Sequence, residues 1–242
     1  TGVQTCALPI SPDGESFLSM MAGASSRFEP YRSNPDDTAE ILFTSAYGGK
    51  PLGTELTHFN LFQNALISQA FIQKFCPDDV CLCVLPLFHS FGQTAMLNAP
   101  LLGMRKTVLM ARFETNKVFE IIARERVTLL GMVPSMAHFM TQYKHDQHFD
   151  LSSIRALNVG GAALSSSIYN AFLERYNIPL LEGYGLTETS PVVAYNTDEK
   201  MNRPGSVGKP IFHCHVQIQR EDGSFASPGE RGEVIVRGEV LG

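Results

Sequence analysis

Between residues 182 and 188 the chain sets two carboxylates, two glycines, an aromatic ring and a hydroxyl side by side, as Glu182-Gly-Tyr-Gly-Leu-Thr-Glu188. Gly183 and Gly185 present no Cβ, so the backbone there can come close to a ligand. Tyr184 offers a flat face on which a purine can lie. The Thr187 hydroxyl can donate to a phosphate oxygen, and the Glu188 carboxylate can hold a magnesium ion. A tight strand exit with a surface Thr–Glu pair would explain any one of these residues, but it does not explain all of them together.

Two further glycine-bearing segments each follow a predicted strand: Ser45–Gly53 and Gly160-Gly-Ala-Ala163. Ligands of open α/β sheets sit beyond the carboxyl ends of the strands, so the three segments are expected to converge on one crevice. The first is not a Walker loop, because Thr44 stands where that motif needs Gly and Pro51 where it needs Ser or Thr. His89 lies in the aromatic run Leu85-Pro-Leu-Phe-His-Ser-Phe-Gly92. Taken alone, such a histidine is more often a satisfied core residue than a functional one.

Glu182–Glu188 resembles the adenylate-binding signature of the adenylate-forming enzymes, which include acyl-CoA synthetases, luciferases and peptide-synthetase adenylation domains. Leu186 before the Thr–Glu pair resembles the acyl- and aryl-CoA ligase branch. Thr44–Gly53 resembles the family's phosphate loop, with Thr44, Ser45, Gly49, Pro51 and Gly53 matching and Lys50 at its variable position. Ala46, Tyr47, Gly48 and Leu52 depart from it, removing two phosphate-facing hydroxyls and a lysine. Leu85–Gly92, Asn158–Ala163, Arg203–Pro210 and Gly229–Glu233 extend the likeness over about residues 20–242.

The resemblance implies an ATP-dependent acyl-CoA synthetase acting on fatty acids, with ATP, Mg²⁺ and CoA as its small molecules. It implies Glu188 and Thr44 at the metal, and Thr187, Thr44 and Ser45 at the phosphates with Gly49 and Lys50. Gly160, Gly161, Ala162, Glu182, Gly183, Tyr184 and Gly185 would border the adenylate, and His89 would position the acyl carboxylate. Two alternatives stay open: a ligase that loads a carrier protein, and a non-catalytic nucleotide- or acyl-binding paralogue. The family's ribose-binding Asp and the subdomain with its catalytic Lys are expected beyond Gly242. The chain is therefore expected to be an internal piece that does not complete acyl-CoA synthesis by itself.

Positioning these residues takes a particular scaffold. Thr1–Ile10 resembles a read-through tag, and residues 11–37 are Ser-, Pro-, Asp- and Gly-rich, so 1–37 reads as tag and linker. Strands are expected at Ala39–Thr44, Val80–Leu85, Thr107–Met110, Val127–Leu130, Arg155–Val159 and Ile178–Leu181. Helices are expected after Thr57 (with Phe59, Phe62, Leu66 and Ala70 as its repeating apolar stripe), over 90–102 and 115–125, and from Pro134 and Ser165. Strands apolar on both faces and separated by amphipathic helices predict an α/β fold. Its mostly parallel sheet is covered by helices on both faces over residues 38–205. From 206 the period changes to two, and Val216–Gln219 and Gly232–Arg237 predict a hairpin that begins a small β-rich subdomain over 206–242.

Composition narrows the partners. Of 242 residues 19 are Lys or Arg and 24 are Asp or Glu, a net charge of −5 with no basic stripe, which speaks against nucleic acid. The five cysteines are odd in number and irregularly spaced, as in a reducing cytoplasm. Cys81, Cys83 and the His213-Cys-His215 run read as strand residues rather than zinc ligands, and His138, His145 and His148 as surface. No apolar run reaches membrane-spanning length. Peripheral membrane contact through an acyl substrate remains compatible with this composition.

Overall fold

The computed structural model describes residues 17–44, 50–144, 149–197 and 202–241. It divides into two compact units, Thr1–Asn34 and Pro35–Gly242. In the first, a short helix α1 (Phe17–Gly23) stands inside the stretch expected to be irregular. Leu18, Met20, Met21 and Ala22 are all strong helix formers, and their local preference outweighs the Pro- and Ser-rich surroundings.

The second unit opens with β1 (Thr38–Thr44) and β2 (Leu52–Thr57), paired antiparallel as a separate two-stranded sheet. Periodicity predicts no strand at β2. Leu52-Gly-Thr-Glu-Leu-Thr57 has too few apolar residues to signal one, and it gains its structure by pairing with β1. Thr57 then caps α2 (His58–Ile67): its hydroxyl accepts the Asn60 backbone amide at 3.1 Å, and the Asn60 side-chain Oδ1 accepts the Thr57 backbone amide at 3.1 Å.

The main sheet has seven strands: β3 (Val80–Cys83), β4 (Lys106–Leu109), β5 (Leu129–Met132), β6 (Ala156–Val159), β7 (Leu180–Gly185), β8 (Val192–Tyr195) and β9 (Lys209–Pro210). Their order is β4-β3-β5-β6-β7-β8-β9, with the first five parallel and the last two antiparallel to their neighbours. Strand parity explains the two-sided burial. Leu82, Leu130, Leu157 and Leu180 point to one face, where they meet Val118, Phe119 and Ile122 of α4 (Thr115–Glu125). Ala137 and Met140 of α5 (Pro134–Gln142) and Tyr169 and Phe172 of α6 (Ser166–Tyr176) complete that cluster. Their neighbours Cys81, Leu129, Ala156 and Leu181 point the other way, into a second cluster with Ile67 of α2. The expected mostly parallel α/β sheet with helices on both faces is what the structure shows.

Several details differ from expectation. The helix expected over 90–102 is π-helical from Phe91 to Asn98 before a turn of α-helix, α3 (Ala99–Leu102). The stripe Phe59, Phe62, Leu66 and Ala70 is not the buried face of α2: Phe59 and Phe62 are exposed, and Asn60, Asn64, Ala65 and Ile67 are buried instead. The asparagines win the inward positions because carbonyl acceptors await them there. β7 runs on through Glu182 to Gly185, so the first half of the signature is strand rather than loop. β10 (Cys214–Gln219) and β11 (Glu233–Gly238) form the expected antiparallel hairpin. Among the described residues no helix is long and apolar enough to cross a membrane.

At the amino ends of the strands, three sequence-distant residues lock together. Asp79, just before β3, accepts hydrogen bonds from Arg155 Nη2 at 2.7 Å, the Thr128 hydroxyl at 2.7 Å and the Cys76 amide at 2.7 Å. Thr128 precedes β5 and Arg155 precedes β6. Burial of Asp79 opposes its ionisation, but the bonds from Arg155, Thr128 and Cys76 overcome that and hold its carboxyl below the usual value of 3.8. Its stabilisation is therefore complete above pH 3.8 and is lost as pH falls through the lower folded-state value. Asp79→Ala should cost about 2 kcal/mol of unfolding free energy, since it removes the acceptor of the Arg155, Thr128 and Cys76 bonds. It should also flatten the acid limb of stability against pH in urea unfolding. An unchanged limb would show that Asp79 does not carry it.

Candidate active site

At the carboxyl ends of β6 and β7 lies a cavity of about 480 Å³. Among the stretches that reach its wall are Thr44 and Leu52 at the two ends of the β1–β2 connection, His89 to Phe91 after β3, Gly160 and Gly161 after β6, and Gly183 to Glu188 in and after β7. Of the three glycine-bearing segments, the second and third converge on the cavity, and the first is represented there by Leu52. Ser45 and Gly49, with Ala46, Tyr47 and Gly48, lie outside the described residues. Lys50 is exposed at the start of the return strand, and Ala162 is exposed beyond the cavity wall.

Glu182 does not reach the cavity. It is buried, and its Oε1 accepts the Leu164 amide at 3.0 Å, which ties the Gly160–Leu164 loop to β7. Its carbonyl accepts from the Asn196 side chain at 2.8 Å. The glycines of the signature also answer to the protein's own packing. A Cβ on Gly183 would stand 2.7 Å from the Tyr195 ring, and one on Gly185 would stand 2.0 Å from the Pro191 carbonyl oxygen. Both keep β8 close enough to pair with β7.

Thr187 and Glu188 sit on a single 3₁₀ turn, Thr187–Thr189. The turn is closed by the Thr189 hydroxyl, which accepts the Leu186 amide at 3.0 Å, and by the Pro191 carbonyl, which accepts the same amide at 3.0 Å. Thr187 is half-buried and Glu188 is exposed at the cavity edge, so the carboxylate keeps its oxygens free for a cation. Among the described residues no three His, Cys, Asp or Glu side chains gather. A magnesium ion here would therefore take one carboxylate and complete its shell with neutral oxygens, phosphate and water, which is how Mg²⁺ is usually held in phosphate sites.

Opposite the turn, Tyr184 and the exposed backbone of Gly161 border the cavity. Asn158 also lines it, and its Oδ1 accepts the buried Tyr195 hydroxyl. Neither Tyr195 nor Leu52 is marked by the sequence as a wall residue, because β8 and β2 bring them there only through strand pairing. The rest of the wall mixes the apolar Ile72, Phe91, Ala95, Val159 and Val192 with the polar Ser68, Gln73 and Ser90. His89 stands at the rim with Nδ1 accepting the Phe91 amide at 3.2 Å, so a neutral ring carries its proton on Nε2, toward any ligand donor or acceptor.

A profile of the family described as AMP-binding enzyme matches residues 5–242. The chain is 33% identical to indoleacetate–CoA ligase of Aromatoleum aromaticum over 205 residues, covering 84% of this chain and 40% of that protein. It is also 33% identical to a long-chain-fatty-acid–CoA ligase of Bacillus subtilis, covering 84% and 36%. The fold superposes on ATP-bound MatB from Rhodopseudomonas palustris with a TM-score of 0.84 at 28% identity, over 95% of this chain and 45% of that one. It superposes on o-succinylbenzoate CoA synthetase from Bacillus subtilis, in complex with ATP and magnesium ion, with a TM-score of 0.80 at 29% identity, over 93% and 46%. The chain spans less than half the length of each of these relatives.

Partial burial of the His89 ring disfavours its charged form and lowers its pKa below the usual 6.5. The ring should therefore be mainly neutral at pH 7, with its midpoint below 6.5. An NMR titration of the His89 ring should show this, and a midpoint above 6.5 would contradict it.

Proposed function

The chain belongs to the AMP-binding enzyme family, and from that premise we propose that the protein of which it forms part is an ATP-dependent acid–thiol ligase. In this reading a carboxylate oxygen attacks the α-phosphorus of ATP and the bond to pyrophosphate breaks. The CoA sulfur then attacks the acyl carbonyl, the thiol proton passes to a base, and AMP leaves. The observation that carries the reading is the one cavity on which Thr44, His89, Gly160, Tyr184, Thr187 and Glu188 come together from four stretches of chain.

Roles follow from position. Tyr184 and Gly161 border the adenine, and the hydroxyls of Thr44 and Thr187 donate to phosphate oxygens. Glu188, with Thr44, holds the magnesium ion, which supplies neutralisation of phosphate charge when bound. His89 at the rim orients the acyl carboxylate through Nε2. The apolar wall of Ile72, Phe91, Val159 and Val192 fits a hydrophobic acid, aryl or aliphatic. Relatives of equal identity are named for indoleacetate and for long-chain fatty acids, so neither acid class is favoured over the other by likeness.

The test is pyrophosphate release by the full-length protein with ATP, Mg²⁺ and a panel of aryl and aliphatic acids, followed by thioester formation on adding CoA. Glu188→Ala should lower pyrophosphate release about a hundredfold, the scale on which loss of one group stabilising developing charge is felt. Its far-UV circular dichroism should be unchanged. A rate like the wild type would remove Glu188 from the metal. Acyl transfer to a carrier protein but not to CoA would favour the carrier-loading alternative.

A further inference from the structure

We infer that Asn64 is a positioning residue for the Thr187–Glu188 turn. This rests on the reading above, in which that turn meets phosphate and metal.

Asn64 lies on α2, fully buried, 125 residues from the turn in sequence. Its Nδ2 donates to the Thr189 carbonyl at 3.1 Å and to the Val192 carbonyl at 3.0 Å. Its Oδ1 accepts the Val192 amide at 3.3 Å. One side chain thus bridges the last residue of the 3₁₀ turn and the first residue of β8. Thr189 closes the turn from within. Every hydrogen bond that a side chain from elsewhere in the described residues makes to 186–192 comes from Asn64.

The chemistry of the amide matters as much as its place. The two carbonyls need a donor and the Val192 amide needs an acceptor, and only a carboxamide of this length supplies both without charge. A leucine would fill the volume and leave the buried Thr189 carbonyl and the two half-buried Val192 groups without the bonds that Asn64 makes. An aspartate would keep the acceptor but set a negative charge against two carbonyl oxygens. Asn64 also shares its helix with the cap formed by Thr57 and Asn60, directly after the β1–β2 hairpin that carries Thr44. The same helix therefore references two sides of the cavity to each other: the turn with Thr187 and Glu188, and the strand pair ending at Thr44.

The experiment uses the full-length protein with Asn64→Ala, Asn64→Asp and, as a control for lost stability, Val118→Ala, a core truncation under α4. With Asn64→Ala, kcat for pyrophosphate release should fall about tenfold and KM for MgATP should rise, as expected when catalytic groups are displaced by a fraction of an ångström. KM for the carboxylic acid should stay within about twofold, because the apolar wall is untouched. Hydrogen exchange at the Val192 amide should quicken in Asn64→Ala. It should stay slow in Asn64→Asp, whose kcat should still fall. Val118→Ala should lower the melting temperature while keeping all three kinetic constants. Wild-type kinetics in Asn64→Ala, or the same kinetic change in Val118→Ala, would overturn the inference. Should Asn64→Ala fail to fold, the Asp variant carries the test, and an unchanged kcat there overturns it. A wild-type protein that releases no pyrophosphate would instead sink the proposed function. The exchange comparison would still decide whether Asn64 orders the turn, and unaltered Val192 exchange would reject it.

Discussion

Everything at the cavity depends on the alignment of the parallel strands, and that alignment is fixed at the opposite end of the sheet. Asp79 collects bonds from Thr128 and Arg155, which stand at the entrances of the two strands beside and beyond its own. Arg155 adds a bond to the Gln73 carbonyl at 2.8 Å, reaching the π-helical turn that follows α2. With their amino ends in register, β3 and β6 deliver His89 and Gly160 to one rim. The carboxyl ends then diverge into the loops that line the cavity, tied there by the Glu182–Leu164 and Tyr195–Asn158 bonds. A buried carboxylate is a costly pin, and the triple donation to it is what makes it tolerable.

The second organising element is α2, and its orientation runs against its composition. An aromatic stripe faces outward while two asparagines face in. Burying a phenylalanine is worth about 1.5–3 kcal/mol, so the outward Phe59 and Phe62 need a compensating term. Asn60 and Asn64 supply it. Asn60 Nδ2 donates to the Glu239 carbonyl at 3.0 Å, and Asn64 satisfies three groups of the β7–β8 connection. Rotating the helix to bury the rings would leave those groups unpaired at about 1–3 kcal/mol each, so the polar face wins the core.

How much of this could be read from the chain follows from where the deciding interaction lies. Parallel strands buried on both faces carry their own signal, since Val80-Cys-Leu-Cys83 and Leu129–Met132 are apolar regardless of neighbours. Thr57, Pro134 and Ser165 mark their helices by local chemistry, and all three start where expected. Pairing across the chain leaves no such mark. β2 becomes a strand only against β1, and β8 only against β7. The buried face of α2 was hidden because periodicity weighs hydrophobicity and does not see which carbonyls await a donor. Among the site residues, those within contiguous motifs were legible: Gly160, Gly161, Gly183, Tyr184, Thr187 and Glu188 all reach the cavity. Glu182 and Ala162, although in the same runs, do not, because strand alternation turns Glu182 inward and the loop carries Ala162 away.

Residues of one motif therefore answer to different physical demands. Gly183 and Gly185 line the cavity, yet the atoms that would meet a new Cβ belong to Tyr195 and Pro191. A substitution at either would force β8 off β7 before it disturbed any ligand. Loss of activity there would report on the strand pair and, through Val192, on the clamp that Asn64 makes. Thr187 and Glu188 differ, for their side chains bond to no described neighbour and project from a turn held at both ends. The glycines build the frame, Asn64 sets its position, and the threonine and glutamate are left free to meet what enters the cavity. That division lets one short stretch serve as core strand at Leu180–Glu182 and as cavity edge six residues later.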